Sequence, residues 1–497
     1  MFKKILVTIF LVTALLSTAA TAGVEEDIDV RKVQTLLTKL CYNPGPIDGA
    51  WGRKTEAAAK KFFKDNKFKY DGRLGNDQFS FLTAQAAFSN KKCANKTLRF
   101  TSNGKMVAHA TNSRGTVYFP NFEQLPIELS PPADDATLSL YFKRRLNDPN
   151  RFRTFKIQPT GNAEPFKYNL KTSKILSEQL NENSILSYLF YEDGEIIYDG
   201  LANNERFSFE LNNSTKYPSH SIGKSIVSYL VGHAICKGYL DSLDQDLNDW
   251  KLVQNTLYAE QPLIKILNMR ARDHHIVTES DGLLKSGRWF NANFTLDQLV
   301  RSDLSNTKVS EVDRFNYNGL ATNIALNYII YKTGNDWKKF LKQVFNDHVK
   351  IEESVMFLRH NGAGNSLDTQ GWYSFFATKY DYLRIAEAMM NDWQSNNCLG
   401  AYFKELKNKS VRNGMQRSAG SLKTPHMDIK SHKYGGYFYM DFPKMRNRNI
   451  LGMAGYGGQD IFIDLDNSRI IVMNAATTNY NWIELGYNAM RVGKLKQ

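Results

Sequence analysis

Ser221-Ile222-Gly223-Lys224 places a serine three residues before a lysine, at the start of an apolar stretch that continues to Ile235. The stretch predicts a mostly buried helix, and side chains three residues apart lie one turn apart on one helix face. Burial disfavours the charged form of an amine, so Lys224 would be a neutral base for the Ser221 hydroxyl. The helix N-terminus adds partial positive charge where an oxyanion would form. The sequence therefore predicts a nucleophile with its own base.

The Ser-x-x-Lys spacing alone is not specific. Ser89 to Lys92 and Ser305 to Lys308 have the same spacing, but both lie in polar stretches with nothing to bury the lysine. For Ser221 the alternative interpretation is a helix N-cap serine followed by a surface lysine.

The N-terminus has the features of a secretory signal peptide. Lys3 and Lys4 precede an apolar run from Ile5 to Leu16, and Ala20-Thr21-Ala22 provides the small residues of a cleavage site. The run is short for a bilayer span, and no later segment is long enough. We expect cleavage after residue 22, no transmembrane segment in the mature chain, and a periplasmic or secreted bacterial protein.

The chain carries a formal net charge of +14, of which the two signal lysines contribute two units. This balance favours an anionic surface such as a cell-envelope polymer. The basic residues are scattered along the chain, which argues against nucleic acid as a partner.

Four cysteines in an exported chain allow two disulfides in any of three pairings. Cys41 and Cys93 bracket the N-terminal segment and are the favoured pair. Cys236 ends the apolar helix and is expected to be a free buried thiol, and Cys398 is placed in a polar loop.

No spacing of Cys and His residues matches a metal site. Asp273-His274-His275 is the nearest candidate, and a loop or supporting role is its alternative. We expect no metal and no cofactor.

Residues 24–95 predict a small three-helix module. Apolar residues from Val30 to Leu40 have helical spacing, the turn at 43–49 is rich in Pro and Gly, and a second helix runs through Phe62 and Phe63. The order helix, Pro-Gly-Pro-Ile-Asp-Gly-x-Trp-Gly, then Lys-Thr-x-x-Ala-x-x-x-Phe resembles the peptidoglycan-binding domain of bacterial wall enzymes. Phe62-Phe63 replaces its usual Phe-Gln. The resemblance implies peptidoglycan as a partner.

The rest of the chain divides into a segment without a sustained secondary-structure pattern and a large domain. Residues 96–180 are interpreted as a linker or accessory strands. Residues 181–497 open with a hairpin around Asp193-Gly194 and close with another around Asp466-Asn467, with helical segments between them. Strands from both ends with a helical middle predict an α+β fold, in which helices flank an antiparallel sheet and form a helical subdomain.

Two segments downstream of Ser221 complete a constellation. Tyr317-Asn318-Gly319 precedes a helix, and Tyr456-Gly457-Gly458 precedes the closing hairpin. Taken singly, they read as a core tyrosine and a Gly-rich turn. In this order they resemble the three motifs of the serine β-lactamase and penicillin-binding protein superfamily, in its class C-like branch. Gly371-Trp372 adds a segment common in that branch.

The resemblance implies acyl transfer in two steps. Lys224 and Tyr317 would remove the Ser221 proton, and the oxyanion would bind the backbone N–H groups of Ser221 and Gln459. The literal Lys-Thr-Gly at 332–334 is a decoy, since Gly334 is expected to end a helix.

Departures from the family motifs limit what can be expected of the substrate. Gly319 replaces the usual Asn, and Tyr456 replaces the Lys that pairs with a substrate carboxylate. Ala271-Arg272 stands where a Ser-Gly turn is usual. The expected activity is that of a serine hydrolase cleaving an ester or amide, with a D-amino-acid peptide bond of the wall as a candidate. The alternative is a catalytically silent peptidoglycan-binding protein that retains the fold.

Overall fold

The computed structural model describes residues 24–25, 28–88, 99–100, 106–107, 153–206, 211–277, 295–360, 366–395, 397–415 and 426–496. The predicted signal peptide, the Ser-x-x-Lys spacing at 89–92 and Cys93 lie outside these residues. The predicted Cys41–Cys93 pair therefore lies outside them as well. The chain forms two units, divided after residue 126.

The N-terminal unit contains the three predicted helices, α1 Val30–Lys39, α2 Arg53–Asp65 and α3 Asn76–Phe88. Their apolar faces meet in a core that includes Val33, Leu37, Phe62, Phe63 and Leu82. Two short strands of the same unit, β1 Arg99–Phe100 and β2 Met106–Val107, pair antiparallel.

The Pro/Gly turn between α1 and α2 is held by one buried amide. Gln34 Nε2 lies 3.0 Å from both Asp48 Oδ1 and the Ala50 carbonyl oxygen, and its Oε1 accepts a hydrogen bond from the Gly49 N–H at 3.0 Å. Gly49 has a φ of 78°, which favours glycine. The sequence thus fixes the turn through a side chain in the preceding helix.

The second unit is built on two sheets. The larger has the order β10-β11-β12-β13-β14-β15-β5-β6-β4, antiparallel except for the β4–β6 pair, and the smaller has the antiparallel order β3-β8-β9-β7. The strands are β3 Arg153–Ile157, β4 Lys167–Tyr168, β5 Ile185–Glu192, β6 Glu195–Leu201, β7 Tyr217–Pro218, β8 Val355–Arg359, β9 Gly371–Ala377, β10 Val411–Arg412, β11 Lys433–Gly435, β12 Phe438–Met440, β13 Ile450–Gly455, β14 Gln459–Asp464 and β15 Arg469–Ala475.

Helices flank and connect these sheets. The α-helices are α4 Lys174–Glu182, α5 Ile222–Cys236, α6 Leu263–Leu267, α7 Leu296–Leu299, α8 Gly319–Thr333, α9 Trp337–Lys342, α10 Lys379–Gln394, α11 Cys398–Asn408, α12 Met427–Lys430 and α13 Ala489–Val492. Shorter 3₁₀ turns lie at Asn204–Arg206, Gly334–Asp336 and Leu367–Thr369, and π-helical segments at Val300–Leu304, Gln343–His348 and Ile483–Asn488. The predicted α+β fold with an antiparallel sheet and flanking helices is confirmed.

Both predicted hairpins are present, β5–β6 at the start of the domain and β14–β15 near its end. Between β5 and β6, Asp193 and Gly194 have φ values of 49° and 92°, as a tight turn requires. Strands β15 and β5 pair antiparallel, so the predicted first and last hairpins are neighbours within the larger sheet. Gly334 caps α8 with a φ of 51°, as expected of the decoy Lys-Thr-Gly.

The expectation of a free thiol at Cys236 is wrong. Cys236 is bonded to Cys398, across 162 residues of sequence. Cys398 is the first residue of α11 rather than part of a polar loop. The bond therefore joins the C-terminal end of α5 to the start of α11, a contact that helical periodicity does not encode.

Within the described parts of the chain, no helix is both long enough and apolar enough to cross a bilayer.

Candidate active site

Ser221 occupies the N-cap position of α5, and every residue of that helix from Ile222 to Ala234 is buried. Its side chain makes no capping hydrogen bond, and it lies close enough to the Tyr317 phenol to influence the pKa of that group. The preceding residue, His220, has a φ of 45°, a left-handed conformation that is uncommon outside glycine. The serine thus lies on a sharp turn before a buried helix, beside the Tyr317 phenol.

Lys224 is 1% exposed, so the alternative of a surface lysine is wrong. Its backbone N–H donates to the Ser221 carbonyl at 3.0 Å, one turn into the helix. Its Nζ donates to the Asn318 carbonyl oxygen at 3.4 Å, and lies 5.1 Å from the ring centroid of Tyr317 and 3.8 Å from that of Tyr373. The amine is thus enclosed by a backbone carbonyl and two aromatic ring faces.

Tyr317 lies immediately before α8 and is 8% exposed. Burial raises its pKa to about 12, although hydrogen bonds with Ser221 and Tyr439 act in the opposite direction. The phenol is therefore protonated at neutral pH. It is suited to pass a proton between Ser221 and Lys224 rather than to act as a free phenolate base.

Asp273 anchors the residues on both sides of Tyr317. Its Oδ1 accepts a hydrogen bond from Asn316 Nδ2 at 2.7 Å, and its Oδ2 accepts one from Asn318 Nδ2 at 3.0 Å. Tyr258 donates a third at 2.7 Å, which leaves this 1% exposed carboxylate fully engaged within the protein. The structure thus gives Asp273, the first residue of the nearest sequence-predicted metal candidate, a supporting role in the Tyr317 loop.

The segment with Ala271-Arg272 in place of a Ser-Gly turn reaches the same loop. Met269 accepts a hydrogen bond from the Asn316 N–H at 2.8 Å through its carbonyl oxygen. Met269 and Arg272 have φ values of 54° and 58°. This side of the cleft therefore bends sharply to hold the residue that precedes Tyr317.

The Gly-rich turn between β13 and β14 approaches the nucleophile. Tyr456 is half-buried, and its ring centroid lies 5.7 Å from that of His220, edge to face. Gly457 and Gly458 form the turn with φ values of 79° and 85°. A Cβ at Gly455 would lie 2.3 Å from the Ser219 carbonyl oxygen, so the end of β13 packs directly on the backbone before Ser221.

Gln459, predicted to supply a backbone donor for the oxyanion, is fully buried as the first residue of β14. It is paired with Gly455 in the ladder, and its side chain turns back toward the Gly457 carbonyl oxygen at 3.4 Å. The structure thus brings Ser221, Lys224 and Tyr317 together with Tyr456 near them, while the Gln459 side chain belongs to the sheet.

Gly319 begins α8 beside the Tyr373 ring. A Cβ at Gly319 would lie 3.1 Å from Tyr373 Cε1 and 3.2 Å from its hydroxyl oxygen. Tyr373 lies in β9, which also packs closely on α5, since a Cβ at Gly223 would lie 2.1 Å from the Tyr373 carbonyl oxygen. The tyrosine therefore borders the space where the family's Asn side chain would begin.

Sequence reasoning missed four residues around this centre. Tyr373 adjoins the recognised Gly371-Trp372 segment but has no pattern of its own. Tyr439, on β12, lies close enough to Tyr317 to influence its pKa. His426 Nδ1 lies 3.8 Å from Asp460 Oδ2; burial alone would lower the pKa of His426, but the hydrogen bond and charge of Asp460 raise it.

Comparisons with known proteins agree with this architecture. Residues 26–82 match the family model described as "Putative peptidoglycan binding domain". No curated protein sequence matches the chain. Among solved structures, one titled "Putative 6-aminohexanoate-dimer hydrolase" from Bacillus anthracis is similar over 76% of this chain and 97% of its own, with 14% identity and a TM-score of 0.52.

Over the matched span the chain therefore shares its fold with that hydrolase structure. Two more distant structures have related titles: a "putative beta-lactamase" from Bacteroides dorei (16% identity, TM-score 0.45, 61% of this chain and 88% of its own) and an "octameric penicillin-binding protein homologue" from Pyrococcus abyssi (13%, 0.44, 65% and 76%). At these identities the likeness of the first structure concerns the fold alone, and the chemistry has to be argued from the site.

Proposed function

We propose that the protein is an exported serine hydrolase of the β-lactamase-related fold, which cleaves an ester or amide through an acyl-enzyme on Ser221. The observation that carries this proposal is that the Ser221 side chain lies close enough to the Tyr317 phenol to influence its pKa, with the buried Lys224 one helical turn away. A nucleophile, a proton relay and a base are then adjacent.

In the proposed reaction, Ser221 Oγ forms a bond to the carbonyl carbon as its proton passes through the Tyr317 phenol to Lys224 Nζ. The N–H of Ser221 and a backbone N–H of the turn before β14, for which the sequence predicts Gln459, would bind the oxyanion. The bond to the leaving group then breaks, and the leaving group takes the proton back from Lys224 through Tyr317. Water then forms a bond to the acyl carbon as its proton passes to the same groups. The bond between the acyl carbon and Ser221 Oγ breaks, Oγ takes the proton back, and the carboxylic acid product leaves.

The departures at Gly319 and Tyr456 favour an ester or unusual amide over a penicillin. The proposed substrate cleft has Gly319 where an Asn amide would contact the acyl chain, and Tyr456 where a Lys would pair with a substrate carboxylate. A substrate screen with p-nitrophenyl esters, D-amino-acid amides and nitrocefin tests this, with Ser221→Ala as the blank. We expect Ser221-dependent ester or amide turnover, and turnover of nitrocefin alone would contradict the proposed preference.

The N-terminal module, proposed to span residues 24–95, would tether the enzyme to peptidoglycan in the periplasm or outside the cell. Its match to a peptidoglycan-binding family model supports this. Pull-down on purified sacculi should retain the mature chain and lose a variant lacking residues 23–95, while hydrolysis of a soluble ester is kept. Equal retention of both would contradict the tether.

A second candidate function is a catalytically silent wall-binding protein that retains the fold. The observation in its favour is the close approach of Tyr373 to Gly319, because the tyrosine ring occupies space beside the proposed substrate cleft. The silent protein would give no Ser221-dependent adduct with either a fluorophosphonate or a fluorescent penicillin.

A further inference from the structure

Three side chains meet near the far end of the nucleophile helix, in a cluster that the proposed chemistry does not use. His233 comes from α5, His348 from the π-helical segment Gln343–His348, and Asp392 from α10. One ligand atom of each lies within 4.8 Å of the others. His348 Nε2 is 3.0 Å from Asp392 Oδ2, and the rings of His233 and His348 are 4.9 Å apart, edge to face.

His233 brings a buried nitrogen without a partner. The residue is 3% exposed, and no group within the described residues hydrogen-bonds to its Nε2. A buried polar atom left unsatisfied is costly, so such an atom calls for an explanation.

Asp392 is buried and held in one orientation. Its Oδ2 accepts a hydrogen bond from the Tyr229 hydroxyl at 2.6 Å, and its Oδ1 accepts one from Asn397 Nδ2 at 3.0 Å. Partners of this kind commonly orient the carboxylates that bind metals.

We propose that His233, His348 and Asp392 bind a divalent transition-metal ion, with Zn²⁺ as the best match. Two imidazoles and one carboxylate suit zinc, and water would complete a tetrahedron. Bonds of about 2.0–2.1 Å place two ligand atoms of a tetrahedral zinc about 3.3 Å apart. The His348 and Asp392 atoms are already close to that separation, and the His348 side chain is 35% exposed, which leaves it room to adjust and gives water access.

The ion would be structural. His233 follows Ser221 by twelve residues, which is about 18 Å along a helix at 1.5 Å per residue. The site would join α5, the π-helical segment and α10, close to the Cys236–Cys398 bond that joins α5 to α11. Its binding is therefore independent of the proposed hydrolysis.

The test uses the untagged full-length mature protein, freed of metal by a chelator and titrated with Co²⁺. We expect one equivalent to produce the visible absorption of four-coordinate cobalt, Zn²⁺ to displace it, and Zn²⁺ to raise the melting temperature. His348→Gln, at a half-exposed position, should weaken Zn²⁺ binding at least about tenfold, as loss of a metal-site partner does. The control His432→Gln should bind as the wild type does.

Two results would overturn the site: no cobalt spectrum in the wild type, or unchanged Zn²⁺ affinity in both His348→Gln and Asp392→Asn. Circular dichroism and the metal-free melting temperature identify a variant that fails to fold. Because the readout is metal binding, failure here leaves the Ser221 labelling result unaffected, and the reverse also holds.

Discussion

The ring of Tyr373 covers the amine of Lys224, with Nζ 3.8 Å from the ring centroid. The same ring borders Gly319, where a side chain would begin 3.1 Å from Tyr373 Cε1. One tyrosine thus contributes to the enclosure of the proposed base and crowds any side chain at position 319. The absence of an Asn at this position is in this way linked to a residue in a distant strand.

Restoring the family residue with Gly319→Asn should therefore impair the protein. Crowding against Tyr373 should cost about 1–3 kcal/mol, and a shift of the ring away from Lys224 should lower kcat/KM about tenfold, equivalent to about 1.4 kcal/mol. Steady-state ester hydrolysis and the melting temperature measure both effects. The double variant Gly319→Asn/Tyr373→Ala should regain stability relative to Gly319→Asn, and no regain would show that Tyr373 is not the source of the crowding.

Tyr317→Phe removes the phenol and keeps the ring. We expect kcat/KM to fall about 10²-fold, as for loss of a positioned proton-transfer group. Because the pKa of Tyr317 is raised to about 12, the phenol is protonated through the neutral range, and the acidic limb of the pH–rate profile should stay in place. The exposed Tyr331→Phe is the control. Disappearance of the acidic limb in Tyr317→Phe would mean that the phenol titrates there, against this account.

Asp273→Asn tests the anchor of the Tyr317 loop. An amide there turns a donor toward Asn316, Asn318 or Tyr258, all of which already donate to Asp273, and should cost about 1–3 kcal/mol. We expect kcat to fall more than KM rises, because Tyr317 is displaced while the rest of the cleft is kept. His275→Gln, two residues away, is the control, and wild-type kcat in Asp273→Asn would refute the anchoring role.

The pH dependence of stability gives a second check on Asp273. Burial raises its pKa in the folded protein, so the folded state holds this proton more tightly than the unfolded chain does. The resulting stabilisation is complete below the unfolded pKa and is lost as the pH rises through the folded pKa. Urea unfolding from pH 3 to 7 should show this loss in the wild type and lack it in Asp273→Asn. Parallel curves would contradict the assignment.

Gln34→Ala should destabilise the N-terminal module by about 1–3 kcal/mol, because the Gly49 N–H and the Asp48 and Thr55 side chains lose their buried partner. The exposed Thr35→Ala is its control. Thermal unfolding of the full chain should show an earlier transition, with reduced sacculus binding and unchanged ester hydrolysis. If the variant is destabilised but binds sacculi as the wild type does, the turn held by Gln34 is not needed for binding, which would contradict the prediction.

The sequence predicted those features that depend on local patterns. The apolar run after Ser221 correctly indicated a buried helix and a buried Lys224, and the turn residues located both hairpins and the cap at Gly334. The order of three short motifs was enough for the fold.

What the sequence did not predict are contacts between distant segments. Lys224 and Tyr373 are separated by 149 positions of the printed sequence, and the Cys236–Cys398 bond spans 162. His233, His348 and Asp392 likewise come from three separate helices, so no ligand spacing reveals them. Such contacts are set by the packing of helices on sheets. A periodicity of two or 3.6 residues indicates which face of an element is buried, but not which distant segment packs on it.

The central claim is that Ser221 is acylated. The most direct measurement is peptide mass spectrometry after reaction of the mature protein with a fluorophosphonate, on the wild type, Ser221→Ala and the matched decoy Ser305→Ala. Ser305 is an exposed serine that also precedes a lysine by three residues. We predict a single adduct on Ser221 in the wild type and in Ser305→Ala, and none in Ser221→Ala. An unlabelled wild type, or labelling that persists in Ser221→Ala, would contradict the account.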